Sequence, residues 1–552
     1  MQAVQRILEK LEQGRRAYLV LFLLGLLFLV PGLKNLPPTD RDESRFAQAT
    51  KQMIETGNYI DIRFQEVPRY KKPIGIYWLQ AAAVELAGQP LNTIWPYRIP
   101  SLLGALAAVL GTCFFGSRLF NRRVGLIAGA LLVSSLLLGV EARLAKTDAS
   151  MLATIVLMQG SLGLLYLQRH ERSKGAWPLA LAFWIACGAG ILIKGPPAPV
   201  IAGMTILTLL IADRQWRLLR CIRPEVGLPL LAAIVLPWFI AIQHASGGEF
   251  MQKAFFGDFV SKLLSGQESH GAPPGFYLLL FPVLFWPSSL LAIRYLPDFW
   301  QRRREDTVRF LLAWIIPSWI IFELVPTKLP HYVLPFFPAI ALLIATALHP
   351  ANQGLIETGR VRRVLAIPGY FLWGLATLLL FIGLPLLPTW FHQFHPWHIL
   401  PFAGGLLVLR AGLRLKRQMP PLSLLPFLLL GALLVLPQAF ADILPGLNPA
   451  WPSSEVARLL ADQPPGQLVS VGYGEPSLPF LIGTKTRLTD AADATRIFFE
   501  PGWRYLLLEG RQKARFEEMT PVKLDQLKLV ARFDSYNYSK GKRLNLELYA
   551  KP

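Results

Sequence analysis

The chain of 552 residues is 53% hydrophobic and only 16% charged, with a mean hydropathy of +0.40. This composition excludes an ordinary water-soluble globule and indicates a protein that crosses a membrane many times. The formal net charge of +21 comes from basic residues in short loops between apolar runs, not in one stripe, so no nucleic-acid partner is expected. The three cysteines, Cys113, Cys187 and Cys221, are widely spaced, which argues against a disulfide framework and against a thiolate metal cage.

Fourteen apolar segments approach the roughly 20 residues that a membrane helix needs. They lie at approximately 17–34, 73–88, 98–119, 124–142, 149–168, 177–193, 197–213, 226–244, 275–295, 309–326, 331–348, 364–388, 397–413 and 421–444. The first run lacks a small-residue cleavage site and is followed by charge, so we expect a retained span, not a signal peptide.

One of the fourteen segments is interpreted differently. Segment 73–88 is short, carries Glu85, and places Tyr77, Trp78 and Gln80 along one side. These features predict a helix that lies at the membrane interface. About thirteen transmembrane helices remain, which predicts an α-helical polytopic membrane protein.

The charged loops predict the orientation of these spans. With segment 73–88 removed, six basic loops fall on the face of the N-terminus, which the positive-inside rule makes cytoplasmic. These loops are 118–123, 168–174, 213–223, 294–306, 359–363 and 414–418. We therefore expect a multi-pass membrane protein with a cytoplasmic N-terminus and with its C-terminal part, after about residue 446, on the opposite side.

Two domains are predicted. Residues 1–445 form the transmembrane domain, with extracytoplasmic loops at 35–97, which carries amphipathic helices, and at 245–274. Residues 446–552 contain alternating runs at 467–474, 504–510, 529–536 and 543–550, which predict a small α/β domain outside the membrane. The sequence contains no internal repeat, Walker loop or dinucleotide fingerprint.

The first span is followed by DRDESRF (40–46), in which five of seven residues are charged. The apolar spacing after it predicts an amphipathic helix that ends at Gly57, with Asp42 and Glu43 in its first turn. Two interpretations stay open. The acids either stabilise the helix N-terminus with Arg45 paired nearby, or belong to a polar site on the outer face.

Further polar candidates follow the same face. In RYKKPIGIYW (69–78), Tyr70 precedes Lys71 and Lys72, and the lysines either extend to lipid headgroups or bind a lipid phosphate. In EARLAKTDAS (141–150), Arg143 and Asp148 flank the junction of two spans, where Asp148 could also be an N-cap.

Three later segments add polar groups. Lys194 lies in the apolar turn LIKGPPAP, either extending to the headgroups or touching an anion. His270 follows an amphipathic stretch at 250–264, and PTKLPHYVLP (326–335) brings Lys328, His331 and Tyr332 into a span. All these groups sit at one end of the spans, whereas a transporter is expected to hold its key charges near the bilayer midplane. The pattern favours an active site at the membrane surface.

Together these motifs carry a resemblance to a known family. The runs DESRF (42–46) and KPIGIYW (72–78), Arg143 with Asp148, the Lys194–Gly195 pair, His270 with Pro273, and KLPHYVL (328–334) occur in the family's order. The sequence resembles the GT-C glycosyltransferases of the 4-amino-4-deoxy-L-arabinose lipid A transferase family, relatives of the protein O-mannosyltransferases. It departs from the family at Lys71, where an acid is common, and at Phe46, where tyrosine is common.

The resemblance implies a function and a set of site residues. It implies inverting transfer of 4-amino-4-deoxy-L-arabinose from undecaprenyl phosphate to a lipid A phosphate, giving resistance to polymyxin and cationic peptides. Asp42, Asp148 and Lys72 are the expected catalytic residues. The expected substrate-binding residues are Glu43, Arg45, Tyr70, Arg143, Lys194, His270, Lys328 and Tyr332. No cofactor is required by the resemblance, although Asp42 and Asp148 could hold a divalent cation.

Two alternatives remain. One is an enzyme that uses a polyprenyl-phosphate sugar to modify a protein, as the O-mannosyltransferases do, or another glycan. The other is a flippase for lipid-linked sugars, whose spans would carry charges at the bilayer midplane.

Overall fold

The structure is a computed structural model that describes residues 2–170, 176–254, 271–348, 360–390, 395–417, 419–520 and 524–552. The chain divides into two compact units. The helical unit comprises Met1–Leu33, Tyr70–Ile76 and Pro100–Ile443. The sheet unit comprises Lys34–Arg69, Tyr77–Ile99 and Leu444–Pro552.

Within the described residues, nine helices are long and apolar enough to cross a membrane. They are Trp95–Leu119, Asp148–His170, Ala176–Lys194, Pro224–Ala245, Asp306–Leu324, Pro330–Ala347, Ala366–Thr389, Pro396–Lys416 and Pro421–Ile443. Two further predicted spans form the shorter apolar helices Arg16–Leu29 and Pro197–Asp213. The apolar stretch of Asp148–His170 is 72% buried whereas that of Pro224–Ala245 is 17% buried, so the first lies inside the bundle and the second on its outside. The predicted polytopic helical fold is confirmed.

The other two predicted spans are each broken in the structure, and the prediction of continuous helices there is wrong. Segment 124–142 forms Arg122–Val133 and Leu136–Glu141, and segment 275–295 forms Phe276–Leu284 and Ser289–Gln301.

Local hydrogen bonding explains both breaks. At the first break the Ser134 and Ser135 hydroxyls donate to carbonyls three residues earlier, at 3.1 and 2.7 Å, which competes with continued helix. At the second break Pro287 has no backbone N–H to donate. The Leu136 N–H donates to the Trp286 carbonyl at 3.0 Å, so the two irregular segments satisfy each other inside the bundle.

Segment 73–88 forms a short helix, Gly75–Ala87, of 13 residues. At about 1.5 Å per residue this helix is about 20 Å long, shorter than the hydrocarbon core of about 30 Å. It is not among the nine span-length helices of the described chain, in agreement with its exclusion from the predicted spans. Other short helical elements include Gln2–Leu11, Arg217–Ile222, Glu249–Met251, Gln168–His170 and Asn448–Ala450.

The predicted amphipathic helix is confirmed as Asp42–Thr56, in the sheet unit. Its buried side includes Phe46, Ala49 and Met53, at the predicted spacing. Gly57 ends it in a left-handed conformation with φ of +68°, which a residue without Cβ adopts at little cost. It is followed by a two-stranded hairpin of β1 (Arg63–Phe64) and β2 (Val67–Pro68).

The C-terminal part of the sheet unit is a five-stranded mixed sheet. Its strands are β3 (Gln467–Val471), β4 (Arg487–Thr489), β5 (Trp503–Glu509), β6 (Lys528–Asn537) and β7 (Lys542–Ala550). The spatial order is β4-β3-β5-β7-β6, with β3 parallel to β4 and β5, and β7 antiparallel to β5 and β6. The four predicted alternating runs are all strands, and only the three-residue β4 was not predicted.

Helices cover both faces of this sheet. They are Pro452–Ala461, Ser477–Ile482, Ala491–Ile497 and Lys513–Met519. Along β5, Leu507 belongs to one apolar core and its neighbours Leu506 and Leu508 to the other, as the two-residue period of a strand requires. The predicted α/β character of the C-terminal region is confirmed.

Candidate active site

A cluster of buried ionisable groups lies in the helical unit, and we call it the charge cluster. It consists of Glu141, Lys146, Asp148, Lys194 and His331, each at most 9% exposed. The Lys194 ammonium donates to an Asp148 oxygen, and the Lys146 ammonium donates to Glu141 at 3.0 Å. The His331 ring nitrogens lie 3.9 Å from Glu141 and 3.7 Å from Asp148. Two carboxylates thus face two ammonium groups and an imidazole away from water.

The ends of three helical elements place these groups. Asp148 is the first residue of the helix Asp148–Leu167, and Lys194 is the last residue of Ala176–Lys194. An acid at a helix N-terminus and a cation at a C-terminus are each favoured by the helix dipole. His331 lies in the 3₁₀ turn Pro330–Phe336. The charge cluster therefore forms where the membrane helices end, as the sequence predicts.

The turn that carries Lys146 and Asp148 is held by the neighbouring helix Trp95–Leu119. The Ser101 hydroxyl donates to the Leu144 carbonyl at 2.6 Å, and the Ser150 hydroxyl donates to the Pro100 carbonyl at 3.0 Å. A Cβ on Gly104 would lie 2.6 Å from the Ser150 Cα, so glycine permits the close approach of the two helices. These contacts fix the start of the Asp148 helix.

The segment that carries Lys72 packs against the turn that carries Lys194. A Cβ on Gly75 would lie 2.8 Å from the Leu192 carbonyl carbon and oxygen, and 3.1 Å from the Ile193 nitrogen. A Cβ on Gly195 would lie 3.9 Å from the Pro73 ring. The KPIG segment therefore packs against the backbone just before Lys194, and Pro73 lies beside Gly195, so both lysines belong to this region of the helical unit.

Three more predicted residues lie in the helical unit. The Tyr332 ring centre is 5.3 Å from the Lys194 Nζ. Lys328 donates to the Glu323 carbonyl at 2.9 Å and to the Val325 carbonyl, and burial lowers the pKa of its ammonium. The Tyr70 ring packs edge-on against Phe250, with centroids 5.4 Å apart.

The Arg143 side chain is held by contacts with backbone carbonyls and an aromatic ring. Its guanidinium is fully buried and donates to the Pro31 carbonyl at 2.7 Å and to the carbonyls of Phe28 and Gly139. It also stacks 4.4 Å from the centre of the Phe440 ring. These contacts tie the end of the first span to the Leu136–Glu141 helix, and they account for the residue without a bound substrate.

Glu43 is also held by other residues, within the sheet unit. Its carboxylate pairs with Arg98 at 2.7 Å, and both side chains have no exposed surface. It also accepts from the Thr39 N–H at 2.8 Å and from the Thr39 hydroxyl at 2.9 Å. Arg98 in turn donates to the Leu36 carbonyl at 2.7 Å. This network fixes the chain that enters the helix Asp42–Thr56.

Asp42 and Arg45 are half-buried in the first turn of that helix. Nearby, the Arg69 guanidinium lies 5.1 Å from the centre of the Phe46 ring, and the Tyr77 ring is 5.4 Å from it. Burial raises the pKa of the Tyr77 hydroxyl, Arg69 opposes this shift, and the Asp42 charge adds to it. Asp42 therefore belongs to the same surroundings as Arg69 and Tyr77 in the sheet unit.

The structure therefore groups the predicted site residues unit by unit. The helical unit brings together Asp148, Lys194 and Tyr332, with the Lys72 segment packed on the Lys194 turn. Asp42, Glu43 and Arg45 share the first turn of one helix in the sheet unit. His270 lies outside the described residues.

Sequence reasoning missed three members of the charge cluster as site residues: Glu141, Lys146 and His331. A usable signal existed, because Glu141 and Lys146 are ionisable groups at the end of an apolar segment, where such groups are usually paired or functional. His331 lies beside Tyr332 in the sequence, but the resemblance implies no role for it.

The acids do not form a cation site in the described part of the chain. There, no group of three or more His, Cys, Asp or Glu side chains is arranged to hold a metal ion. Asp148 is surrounded by Lys194, by Lys146 at 4.0 Å and by His331 at 3.7 Å, and these basic groups compete with a divalent cation. Within the described residues, the Asp148 carboxylate therefore does not fit a divalent cation.

Comparisons with known proteins agree with this architecture. Residues 71–241 match the family described as dolichyl-phosphate-mannose-protein mannosyltransferase. The undecaprenyl phosphate-alpha-4-amino-4-deoxy-L-arabinose arabinosyl transferase 2 of Pseudomonas fluorescens (strain Pf0-1) is 28% identical over 361 residues, which cover 64% of this chain and 63% of that protein. The arabinosyl transferase of that description from Pseudomonas aeruginosa (strain LESB58) is 30% identical over 337 residues, with 60% of this chain and 59% of that protein covered. The matched region thus spans about three fifths of these curated relatives.

The fold match extends over nearly the whole chain. The crystal structure of ArnT from Cupriavidus metallidurans bound to undecaprenyl phosphate matches with a TM-score of 0.75 and 19% sequence identity. The match covers 97% of this chain and 98% of that one. The structure of that protein in the apo state has a TM-score of 0.73 at 18% identity.

These matches and the helical architecture define the class: the chain has the membrane fold of GT-C glycosyltransferases. Within that class, the resemblance to the 4-amino-4-deoxy-L-arabinose transferase family, predicted from the motifs, is confirmed by the named relatives.

Proposed function

We propose that this chain is an inverting glycosyltransferase that moves 4-amino-4-deoxy-L-arabinose from undecaprenyl phosphate to a phosphate of lipid A. The observation that carries the proposal is the charge cluster, because it holds two buried ammonium groups and an imidazole at the ends of the spans. The named relatives supply the sugar and the lipid carrier by similarity.

This reaction requires positively charged groups near the leaving phosphate. The bond between the anomeric carbon and the undecaprenyl phosphate oxygen breaks, and the leaving phosphate takes the electron pair. A lipid A phosphate oxygen forms the new bond from the opposite face of the sugar, which inverts the anomeric centre. Preorganised cations stabilise the charge on the departing phosphate, and we assign this role to Lys194 and Lys72, with a hydrogen bond from Tyr332.

Lys194 is well prepared for such a role. Its ammonium is bound by Asp148 and faces the Tyr332 ring, so its position is set before substrate arrives. Asp148 and Glu141 balance the charges of Lys194 and Lys146, which lowers the cost of burying these two ammonium groups. His331 lies close to both carboxylates and adds a third basic group to this site.

The carboxylates of Asp148 and Asp42 have a role other than that of a general base. A phosphate acceptor is already ionised at neutral pH, so the reaction has little need for a general base. The sugar carries an ammonium group, and a carboxylate is its natural partner. We assign this contact to Asp42, at the catalytic centre, as the residue that orients the acceptor or the sugar. Asp148 is already surrounded by basic groups of the chain, so we assign it to sugar binding through hydroxyl groups.

The proposal places the reaction on the periplasmic face of the bacterial inner membrane. The basic loops support a cytoplasmic N-terminus, and the connections that carry Asp148, Lys194 and His331 then lie on the opposite side. The product carries an added ammonium group, so the outer surface is less anionic and binds polymyxin and other cationic peptides less well. Reporter fusions at residues 60 and 500 test this orientation, and cytoplasmic labelling at either position would overturn it.

A second candidate is transfer of a polyprenyl-linked sugar to a protein. The match of residues 71–241 to the mannosyltransferase family favours it, because that stretch includes Lys72, Asp148 and Lys194. The two candidates share the donor chemistry and differ in the acceptor.

Purified protein in proteoliposomes, given synthetic aminoarabinosyl lipid and lipid A, decides between them. We expect aminoarabinosyl lipid A by mass spectrometry, and no product when the acceptor is lipid A stripped of its phosphates. Product only with a peptide acceptor, or only with mannosyl lipid, would reject the proposed function in favour of the second candidate.

A further inference from the structure

The C-terminal segment 444–552 makes an extended set of polar contacts with the helix Asp42–Thr56, all within the sheet unit. Five residues of the helix and its entry take part: Asp40, Arg41, Gln48, Lys51 and Glu55. Gln48, Lys51 and Glu55 lie within the helix, and their spacings of three and four residues place them on one helix face. That face is distinct from the predicted apolar stripe, so a separate explanation is needed for it.

The body of the helix is held at three points. The Gln48 amide donates to the Thr484 hydroxyl at 2.9 Å, and that hydroxyl donates to Glu55 at 2.7 Å. The Lys51 ammonium donates to the Phe480 carbonyl at 2.9 Å, with a side chain that is only 5% exposed. Burying an ammonium group costs free energy unless the group is hydrogen-bonded, as Lys51 is to this carbonyl. Burial also lowers the pKa of the Lys51 ammonium.

The entry to the helix is held by the hairpin between β6 and β7. The Asp40 N–H donates to the Tyr538 hydroxyl at 2.6 Å, and the Arg41 guanidinium donates to the Ser539 carbonyl. Arg41 itself has a φ of +66°, a conformation that is uncommon outside glycine. The hairpin therefore fixes the backbone one and two residues before Asp42.

A buried chain of hydroxyl groups completes the attachment. The Ser477 hydroxyl donates to Asp40, the Ser477 and Ser453 oxygens are 2.6 Å apart, and Ser453 and Tyr473 are 2.7 Å apart. Each hydroxyl carries one hydrogen, so the chain is satisfied when it runs from Tyr473 through the two serines to an acceptor at Asp40. The three hydroxyl residues are at most 2% exposed.

We infer that the C-terminal segment is a positioning element for the proposed transfer, and that Ser477 and Tyr538 are positioning residues that orient the first turn of the helix Asp42–Thr56. In the run DRDESR, Asp40, Arg41 and Glu43 hold the helix, and Asp42 is the residue that the proposed function assigns to the catalytic centre. This inference rests on the proposed function only for the catalytic importance of Asp42. The attachment itself stands on the contacts.

The electrostatics of Asp40 support this arrangement. Burial raises the pKa of its carboxyl to about 7; the Ser477 hydrogen bond opposes the shift, the Glu475 charge adds to it, and Lys540 opposes it. Tyr473 and Tyr538 also face Asp40. Ionisation of this group therefore changes the attachment near neutral pH.

The test uses the full-length protein and matched variants. Ser477→Ala and Tyr538→Phe remove the two attachments. Ser535→Ala removes a buried hydroxyl whose bond, to the Pro449 carbonyl at 2.7 Å, stays within the C-terminal segment, and Tyr536→Phe alters an exposed tyrosine of the same strand. Hydrogen exchange of the amides of residues 44–47 reports the order of the first turn, and steady-state transfer gives kcat and KM.

We expect Ser477→Ala and Tyr538→Phe each to speed exchange at residues 44–47 by about tenfold and to lower kcat by about tenfold, the effect of one lost hydrogen bond, with KM for the donor within about twofold. Ser535→Ala and Tyr536→Phe should match the wild type in both. Asp40→Asn keeps an acceptor for Ser477 and should restore slow exchange relative to Asp40→Ala.

Exchange and kcat equal to those of the matched controls would overturn the inference, as would a fall in kcat that the controls share. If the wild type transfers no aminoarabinose, the exchange measurement still decides. Faster exchange in the two test variants alone would then support the attachment and reject only the proposed function.

Discussion

Gly75→Ala tests whether the contact between KPIG and the Lys194 turn sets the position of Lys72. The new Cβ would lie 2.8 Å from the Leu192 carbonyl carbon and oxygen, which are backbone atoms and cannot rotate away. Ordinary contact begins near 3.4 Å, so the segment must shift by about 0.6 Å. Gly75 does not have a positive φ, so any effect comes from contact and not from backbone strain.

The shift has two measurable consequences. Overpacking of this kind costs about 1–3 kcal/mol of stability, and a displacement approaching 1 Å near reacting groups lowers kcat by about tenfold to a hundredfold. Gly203→Ala is the matched control, because a Cβ at that exposed helix position meets nothing within 4 Å. It should be neutral or stabilise the protein by about 1 kcal/mol.

The assay measures kcat, KM for the donor and the thermal unfolding midpoint of both variants in one preparation. We expect Gly75→Ala to lose activity beyond what its unfolding midpoint explains, while Gly203→Ala retains full activity. Equal activity and equal stability of the two variants would refute the assignment of Lys72 to the Lys194 region.

Three other predictions concern the sheet unit. Asp42→Asn should abolish transfer while donor binding, measured by a filter assay with labelled lipid, persists. If the variant instead altered the movement of intact donor across the bilayer, the protein would be a flippase. Glu43→Gln should lower the unfolding midpoint much more than Asp42→Asn does. The substitution leaves the buried Arg98 without a full ionic partner, at a cost of about 3–5 kcal/mol of stability. Similar midpoints for the two variants would contradict this expectation. Asp40 has a pKa of about 7 in the folded protein against 3.8 normally, so its contribution to stability is full below about 4 and is lost as the pH rises to about 7. The midpoint of the wild type should therefore fall between pH 5 and 8 more than that of Asp40→Asn, and equal falls would assign the dependence to other groups.

Much of the fold was predictable because its determinants are local. The helix Asp42–Thr56 follows from its apolar spacing and from Gly57, and β3, β5, β6 and β7 follow from alternating side chains. The breaks at Ser134 and Pro287 were missed because hydropathy is the same on both sides of each break. Their irregular backbones are stable only because they bond to each other, a long-range contact that no local pattern contains.

The candidate site was predictable in residue type but only partly in role. Asp148, Lys194 and Tyr332 were selected as ionisable or polar groups at the ends of spans, and the structure brings them together. Arg143 has the same sequence signal, yet its guanidinium is used by backbone carbonyls of the first span. Whether a buried charge meets a substrate or a carbonyl depends on tertiary packing, which the sequence pattern does not reveal.

The most direct test compares wild type and Lys194→Met in proteoliposomes that contain aminoarabinosyl undecaprenyl phosphate and lipid A. We predict aminoarabinosyl lipid A from the wild type, and from the variant a rate lower by about a hundredfold, since one cation facing the leaving phosphate is lost, with donor affinity changed much less. Equal rates from the two proteins, or no modified lipid A from the wild type while a peptide acceptor is glycosylated, would contradict this account.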